Sequence, residues 1–150
     1  MIFKRKRKLI KRLLIVEDEP LVAFDNEYLL KSAGYEVVAT VDTVEAGVAA
    51  LSDRIHLAVI DIEISGEGSG IDIATAANER GIAVLFVTGN CPAGATDLAY
   101  GCLAKPYNAR DLIASIEAID CLMRGMEPKE VPGLTVFDHA RAGVIDGKKG

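Results

Sequence analysis

Sulfur ligands are few in this chain and long apolar runs are missing, and each shortage removes a class of protein. Its 150 residues contain three cysteines, and Cys91, Cys102 and Cys121 make no metal-ligand spacing. With no secretory signature beside them, the expectation is three reduced, mostly packed thiols. No apolar run approaches the roughly 20 residues of a bilayer-crossing helix, so no stable membrane insertion is expected. The opening Met1 to Arg12 is basic like the first region of a signal peptide. The apolar stretch after it, Leu13 to Val16, is too short and ends in Glu17-Asp18-Glu19. A chain of this length can bury roughly two thirds of its unfolded surface without disulfides or structural metal, which suits one cytoplasmic domain.

Positive charge is also scarce beyond the first residues. Seven of the 17 Lys and Arg lie in residues 1–12, leaving 10 against 22 Asp and Glu from Leu13 onward, a net of −12. That balance argues against nucleic acid as a partner, so no DNA binding is expected. The basic arm, residues 1–12, whose charges are flanked by Ile2, Phe3, Leu9 and Ile10, could touch anionic lipid or an acidic partner, but it reads first as a solvated, partly disordered tail or a short first helical turn.

What is present alternates between strand and helix. Leu57-Ala58-Val59-Ile60-Asp61 is a buried strand with a carboxylate at its end, and Leu13 to Val16, Glu36 to Val41, Ile82 to Val87 and Cys102 to Ala104 are the other strands. Pro20 suits the first turn of a helix that Gly34 stops. A second helix, capped by Asp42 or Thr43, is expected through about Asp53 with Val44, Val48 and Leu51 on one face. A third runs from Ile71 to about Arg80. Between Cys91 and Gly101 the signal allows at most two or three helical turns, since Pro92, Gly94 and Gly101 interrupt it. The fifth helix is the clearest, with Asn108 as cap, Asp111 in the first turn, and Leu112, Ile116, Ile119 and Met123 on one stripe. The tail after Gly125 is either loose or pinned through Leu134, Val136 and Phe137. The expected architecture is an α/β doubly wound parallel sheet of five strands with helices on both faces.

In such a sheet, ligands bind outside the carboxyl ends of the strands. Glu17 and Asp18 fall at that end of the first strand, Asp61 of the third, Thr88 of the fourth and Lys105 of the fifth. Three acids converging on one rim are electrostatically costly without a cation. Hard oxygen donors suit Mg2+, with Mn2+ as an alternative. Each residue has a plainer reading: the acids as a favourable helical first turn, Thr88 as a turn residue, Lys105 as a solvated side chain.

The motifs Ile15-Val16-Glu17-Asp18-Glu19-Pro20, Val59-Ile60-Asp61, Val87-Thr88-Gly89 and Ala104-Lys105-Pro106-Tyr107 stand in one order at four strand ends. Together they resemble the receiver domains of bacterial two-component response regulators, over about Leu13 to Met123. The resemblance implies a flavodoxin-like strand order of 2-1-3-4-5 and a single-domain phosphoprotein of signal transduction. Asp61 would be the phosphoacceptor, receiving its group from a sensor histidine kinase or a histidine phosphotransfer protein. Asp18, Glu17, Asp61 and the backbone carbonyl of Glu63 would hold the metal. Lys105 would complete the charge clamp, Thr88 would bond a phosphoryl oxygen, and the Lys105-Pro106 bond would be cis. On this basis residues 1–12 are an arm, 13–124 the receiver and 125–150 a tail too short for an output domain. The chain would then act through a protein partner, as a phosphorelay member, a phosphate sink or an allosteric ligand, with no enzyme activity beyond its own phosphorylation and dephosphorylation.

Three departures from the family pattern accompany these matches. Cys102 stands where the family has the aromatic partner of the threonine switch. The segment from Thr88 to Lys105 is several residues short, so the fourth helix should be reduced or displaced. Ser65 stands where proline is usual. Two other readings compete: a degenerate receiver that binds partners unphosphorylated, and a small nucleotide-binding enzyme suggested by Gly66, Gly68 and Gly70. The glycine spacing is wrong for a dinucleotide, and Asp61, Glu63 and Glu67 would repel a pyrophosphate.

Overall fold

The computed structural model describes residues 7–94, 96–142 and 144. Its elements in chain order are β1 (Arg12–Val16), α1 (Pro20–Ser32), β2 (Glu36–Val41), α2 (Val44–Ala50), β3 (Leu57–Asp61), α3 (Gly70–Glu79), β4 (Ala83–Thr88), a single 3-10 turn (Thr96–Leu98), β5 (Gly101–Ala104), α4 (Ala109–Met123), β6 (Leu134–Val136) and α5 (Asp138–Arg141). The sheet order is β2-β1-β3-β4-β5-β6. The first five strands are parallel, as expected, and β6 pairs antiparallel with β5.

Side-chain alternation along each strand divides the core into two layers. Leu14, Val16, Ala58, Ile60, Val84 and Phe86 face Val44 of α2 and Ile73, Ala74 and Ala77 of α3. Leu13, Ile15, Leu57, Val59, Leu85 and Val87 face Leu30 of α1 and Leu112, Ile116 and Ile119 of α4. Burial on both faces is why β1, β3 and β4 read as unbroken apolar runs.

Local chemistry sets the helix ends. Pro20 opens α1, and Gly34 follows its end with φ +100°. The Thr43 side chain accepts from the Ala46 amide at α2, and Asn108 accepts from Asp111 at α4. At α3, Ser69 accepts from the Ile71 amide while Asp72 accepts from the Ser69 amide, a reciprocal cap. Gly70 has a separate duty. A Cβ there would lie 2.5 Å from the Asp61 carbonyl oxygen and 2.8 Å from Ile60 Cγ2. The glycine run after β3 therefore brings the start of α3 against the end of β3.

The structure corrects several expectations. The sheet gains a sixth strand because Leu134 to Val136 pairs with the free edge of β5, and Phe137 is buried in the adjoining layer. The second helix stops at Ala50, since Leu51 turns extended at ψ 131°, and Val48 is left exposed. Between β4 and β5 there is one 3-10 turn, in keeping with the reduced fourth helix expected there. Cys91 and Cys102 form a disulfide, with Cα atoms 5.9 Å apart, and Cys121 is free. The expectation of three reduced thiols missed this pair because an irregular connection, which carries no sequence periodicity, folds Cys91 back over β5.

The described part of the basic arm, residues 7–11, forms no helix, and residues 1–6 lie outside the described residues. Ile10 is buried in the α1/α4 layer. The Leu9 and Ile10 amides both donate to Asp120 Oδ1 at 2.7 and 2.8 Å, while Arg124 Nε donates to Asp120 Oδ2 at 2.7 Å. One buried carboxylate on α4 thus fastens the arm. Asp120→Ala, which strands three donors, is expected to destabilise the chain by about 3 kcal/mol in urea denaturation; a loss below about 0.5 kcal/mol would show that contacts other than Asp120 hold the arm.

His56 seals the opposite rim, where Nδ1 accepts the amides of Lys11 and Arg12, each at 3.0 Å. Burial, then the charges of Arg12 and Lys11, hold the ring below its ordinary pKa of 6.5. The unfolded chain therefore takes up the proton first as pH falls. This contribution is complete above pH 6.5 and is lost as pH drops through the depressed native value. Denaturation at pH 7.5 and 5.5 should show a steeper loss in the native chain than in His56→Gln.

Candidate functional site

Parallel register builds the site. Val16 pairs with Ile60, so the residues that follow β1 emerge beside Asp61, the last residue of β3. Asp61 pairs with Val87, Thr88 with Ala104, and the Lys105 amide donates to the Thr88 carbonyl at 2.9 Å. Glu17, Asp18, Asp61, Thr88 and Lys105 are therefore delivered to one rim by consecutive neighbours in the sheet. The Lys105-Pro106 bond is cis.

Lys105 Nζ donates to Asp61 Oδ2 at 2.8 Å and to Glu17 Oε1 at 3.2 Å, with Glu19 Oε1 at 3.8 Å. Asp61 and Glu17 are each 4% exposed, and Thr88 is 1% exposed. One carboxylate oxygen from each of Glu17, Asp18 and Asp61 lies within 4.8 Å of the other two. At an effective dielectric constant of about 20, two like charges about 4 Å apart repel by roughly 4 kcal/mol. A single ammonium offsets one such interaction and leaves net negative charge on three oxygen donors. That donor set fits a hard divalent cation.

Hydrogen bonds fix the acids. The Glu63 amide donates to Asp61 Oδ1 at 3.0 Å, and the Glu19 amide donates to Glu17 Oε2 at 3.1 Å. Burial pushes the Glu17 carboxyl above its ordinary value, against the Glu19 amide and Lys105, which lower it. Burial also pulls on Lys105, but the hydrogen bond and charge of Asp61, followed by Glu17, outweigh it and raise the ammonium's pKa above its ordinary range. Lys105 is thus a permanent cation here.

The acids stand ahead of the first turn of α1 and not within it. Glu19 is the residue before α1, and the first turn of α1 contains no acid; Glu17 and Asp18 stand ahead of it, turned toward Asp61. Thr88 accepts a long 3.4 Å hydrogen bond from the Asn90 amide. Cys102 does not reach this rim. It pairs with Phe86 on the neighbouring strand and lies in the same apolar layer.

Residues with weaker sequence signals complete the surroundings. Ser65 Oγ donates to Asp18 Oδ2 at 2.9 Å, a role its place in a glycine-rich loop did not disclose. Asn26 Nδ2 donates to the Tyr107 hydroxyl at 2.8 Å, tying α1 to the loop after Lys105. Burial raises the Tyr107 phenol above its ordinary pKa. A groove of about 610 Å³ opens between them, lined by Val22, Leu29, Lys105, Pro106 and Tyr107 among others. Beside it α1 exposes Leu21, Phe24 and Tyr28, at 79%, 70% and 69%.

Comparison with known proteins gives a consistent relationship. The sequence pattern of the response regulator receiver domain matches residues 13–117. The chain is 40% identical over 62 residues to the phyllosphere-induced regulator PhyR of Methylorubrum extorquens, a stretch that is 40% of this chain and 23% of that protein. The match thus spans about a quarter of the relative's length. The structure resembles the signal receiver domain of a modulated diguanylate cyclase from Desulfovibrio desulfuricans, at 31% identity and a TM-score of 0.63, covering 72% of this chain and 91% of that one. It also resembles the response regulator PhyR from Brucella abortus, at 29% identity and a TM-score of 0.56, covering 69% of this chain and 44% of that one. Among the described residues, no helix is long and apolar enough to cross a membrane.

The electrostatics make one direct prediction. Lys105→Met leaves Glu17 and Asp61 buried without their cation, and is expected to cost about 3 kcal/mol at pH 7.5 in the presence of a chelator. The deficit relative to the native chain should shrink between pH 7.5 and pH 4 as Glu17, whose carboxyl burial holds above its ordinary value, takes up a proton. A constant deficit across that range would assign the loss to packing of the lysine stem.

Proposed function

We propose, from the premise that this chain belongs to the response regulator receiver domain family, that it is a response regulator whose Asp61 accepts a phosphoryl group from a phosphohistidine. The observation that carries this reading is the 2.8 Å ion pair between Lys105 and Asp61 inside a cluster of three carboxylates. A buried acid at a strand end needs a cation, and a site that supplies both a cation and further acids is suited to bind metal and phosphoryl oxygens together.

In this reading an Asp61 carboxylate oxygen attacks phosphorus as the bond to the imidazole nitrogen breaks, and the imidazole leaves as the product is formed as an acyl phosphate. Asp18, Glu17, Asp61 and the Glu63 carbonyl would hold Mg2+, which supplies charge neutralisation at the transferring oxygens when bound. Lys105, already bonded to the acceptor carboxylate, stabilises the same charge from the protein side. The Glu63 amide and Lys105 orient the Asp61 carboxylate before the donor arrives, so little reorganisation remains at the moment of transfer. Thr88 is the hydroxyl that would bond the phosphoryl group and report its presence to the segment beyond β4.

The exposed Leu21, Phe24 and Tyr28, together with the groove beside Tyr107, support docking of a helical phosphodonor protein against α1. The donor is a sensor histidine kinase or a phosphotransfer protein, and the unit it recognises spans residues 13–124. Likeness to two proteins called regulators agrees with output through a protein partner. The 3-10 turn and the bonded Cys102 favour one second reading, a receiver that binds its partner without phosphate.

Transfer of radiolabelled phosphate from a phosphorylated histidine kinase of the same cell separates them. Label on the native chain that requires Mg2+ and is absent from Asp61→Asn is the expected result. A folded native chain that takes no label from any such kinase would leave the phosphate-independent binder.

A further inference from the structure

The Cys91–Cys102 bond lies outside the acidic site, yet it sits on the path that leads away from it. Cys91 follows Thr88 by three residues, and Cys102 pairs in register with Phe86, two residues before Thr88 on β4. Alternation puts Thr88, Phe86 and Cys102 on one face of the sheet. The first stretch of chain after the threonine is therefore tied covalently to the neighbouring strand, beneath the threonine itself.

Apart from Leu98, which packs against the apolar layer, that stretch is held loosely. Among the described residues, no backbone hydrogen bond joins 91–98 to another element; the connection is regained only where the Tyr100 amide donates to the Val84 carbonyl at 2.9 Å. The two sulfurs also differ in environment. Cys91 is exposed, whereas Cys102 is fully buried beside Phe86, Ala99 and Phe137. Cys91 is the end from which an external thiolate would approach, and Cys102 can remain in the apolar layer as a small hydrophobic side chain after the bond opens.

We infer that Cys91 and Cys102 are a reversible thiol–disulfide modification site that gates the phosphorylation response: the disulfide holds the β4–β5 connection still, and reduction frees it to rearrange when Asp61 is phosphorylated. The inference rests on the reading of Asp61 as phosphoacceptor and adds its regulation. The partner in exchange is a low-molecular-weight thiol and its disulfide. A thiolate attacks Cys91 Sγ, the bond to Cys102 breaks, and Cys102 leaves as a thiolate that takes a proton. A second thiolate attacks the external sulfur of the mixed disulfide and releases Cys91. Two electrons pass to the protein, and two thiols become one external disulfide. Oxidation is the reverse. The acids and Lys105 make no contact with either sulfur, so the gate acts on the response and leaves the transfer step open in both states.

The test uses the full chain carrying Cys121→Ser, equilibrated with reduced or oxidised glutathione, with and without Mg2+ and beryllofluoride as the phosphoryl mimic. Fluorine NMR reads bound beryllofluoride, intact mass reads the two hydrogens gained on reduction, and amide exchange reads residues 89–101. The expected result is bound beryllofluoride in both redox states, with exchange over 89–101 slowed by it in the dithiol form and unchanged by it in the disulfide form. Adding Cys91→Ser, at an exposed position, should reproduce the dithiol response whatever the glutathione ratio. Equal responses in both forms would overturn the gate while leaving Asp61 as acceptor. So would a pair that glutathione neither opens nor closes in the folded chain. Absence of bound beryllofluoride in both forms would overturn the reading of Asp61, and the gate with it.

Discussion

The organising constraint is the crowding of three carboxylates at the end of a buried parallel sheet, with one lysine to compensate them. Glu17 and Asp61 are nearly fully buried, and Lys105 bonds both. Such a cluster is tolerated only where every member has a partner, and the buried side-chain polar atoms of the described residues are all satisfied. The surrounding structure can be understood from this requirement. Parallel pairing puts the carboxyl ends of β1, β3, β4 and β5 on one rim, and the crossover helices cover both faces so that the strands can be apolar throughout. Gly70 lets α3 start against the end of β3 without displacing Asp61.

The far side of the sheet shows how little such a fold tolerates an open strand. An uncovered β5 would present unpaired amides and carbonyls. Here β6 takes that edge, and Gly101 admits it, since a Cβ there would meet the Thr135 carbonyl at 2.6 Å. At the amino end of the sheet, Asp120 and His56 use side-chain acceptors to satisfy the amides of residues 9–12. The tail and the arm are thus part of the packed structure over the described residues. The segment between β4 and β5 has a short 3-10 turn and one covalent tie, and among the described residues no backbone hydrogen bond joins 91–98 to another element.

The extent to which the sequence could be read follows from the range of the forces involved. Strands β2 and β3 were legible to the residue, because their apolar runs and the turn residues around them are local signals. Of the caps, Asn108 was read outright and Thr43 as one of two candidates with Asp42, because short polar side chains reach the next turn, whereas the Ser69 cap came only with the structure. Four motifs in one order identified Glu17, Asp18, Asp61, Thr88 and Lys105 as neighbours, since parallel topology turns sequence order into spatial adjacency. The residues by themselves therefore pointed to a parallel sheet and to the groups gathered at its rim, while the order of its first five strands came with the resemblance that the four motifs carry. Contacts between distant segments were left to the tertiary structure: Asp120 with the arm, Ser65 with Asp18, β6 with β5, and Cys91 with Cys102. None of these has a periodicity or a fixed spacing. Each depends on where an irregular stretch of chain is carried by the packing of the elements on either side, which no local pattern of residues records.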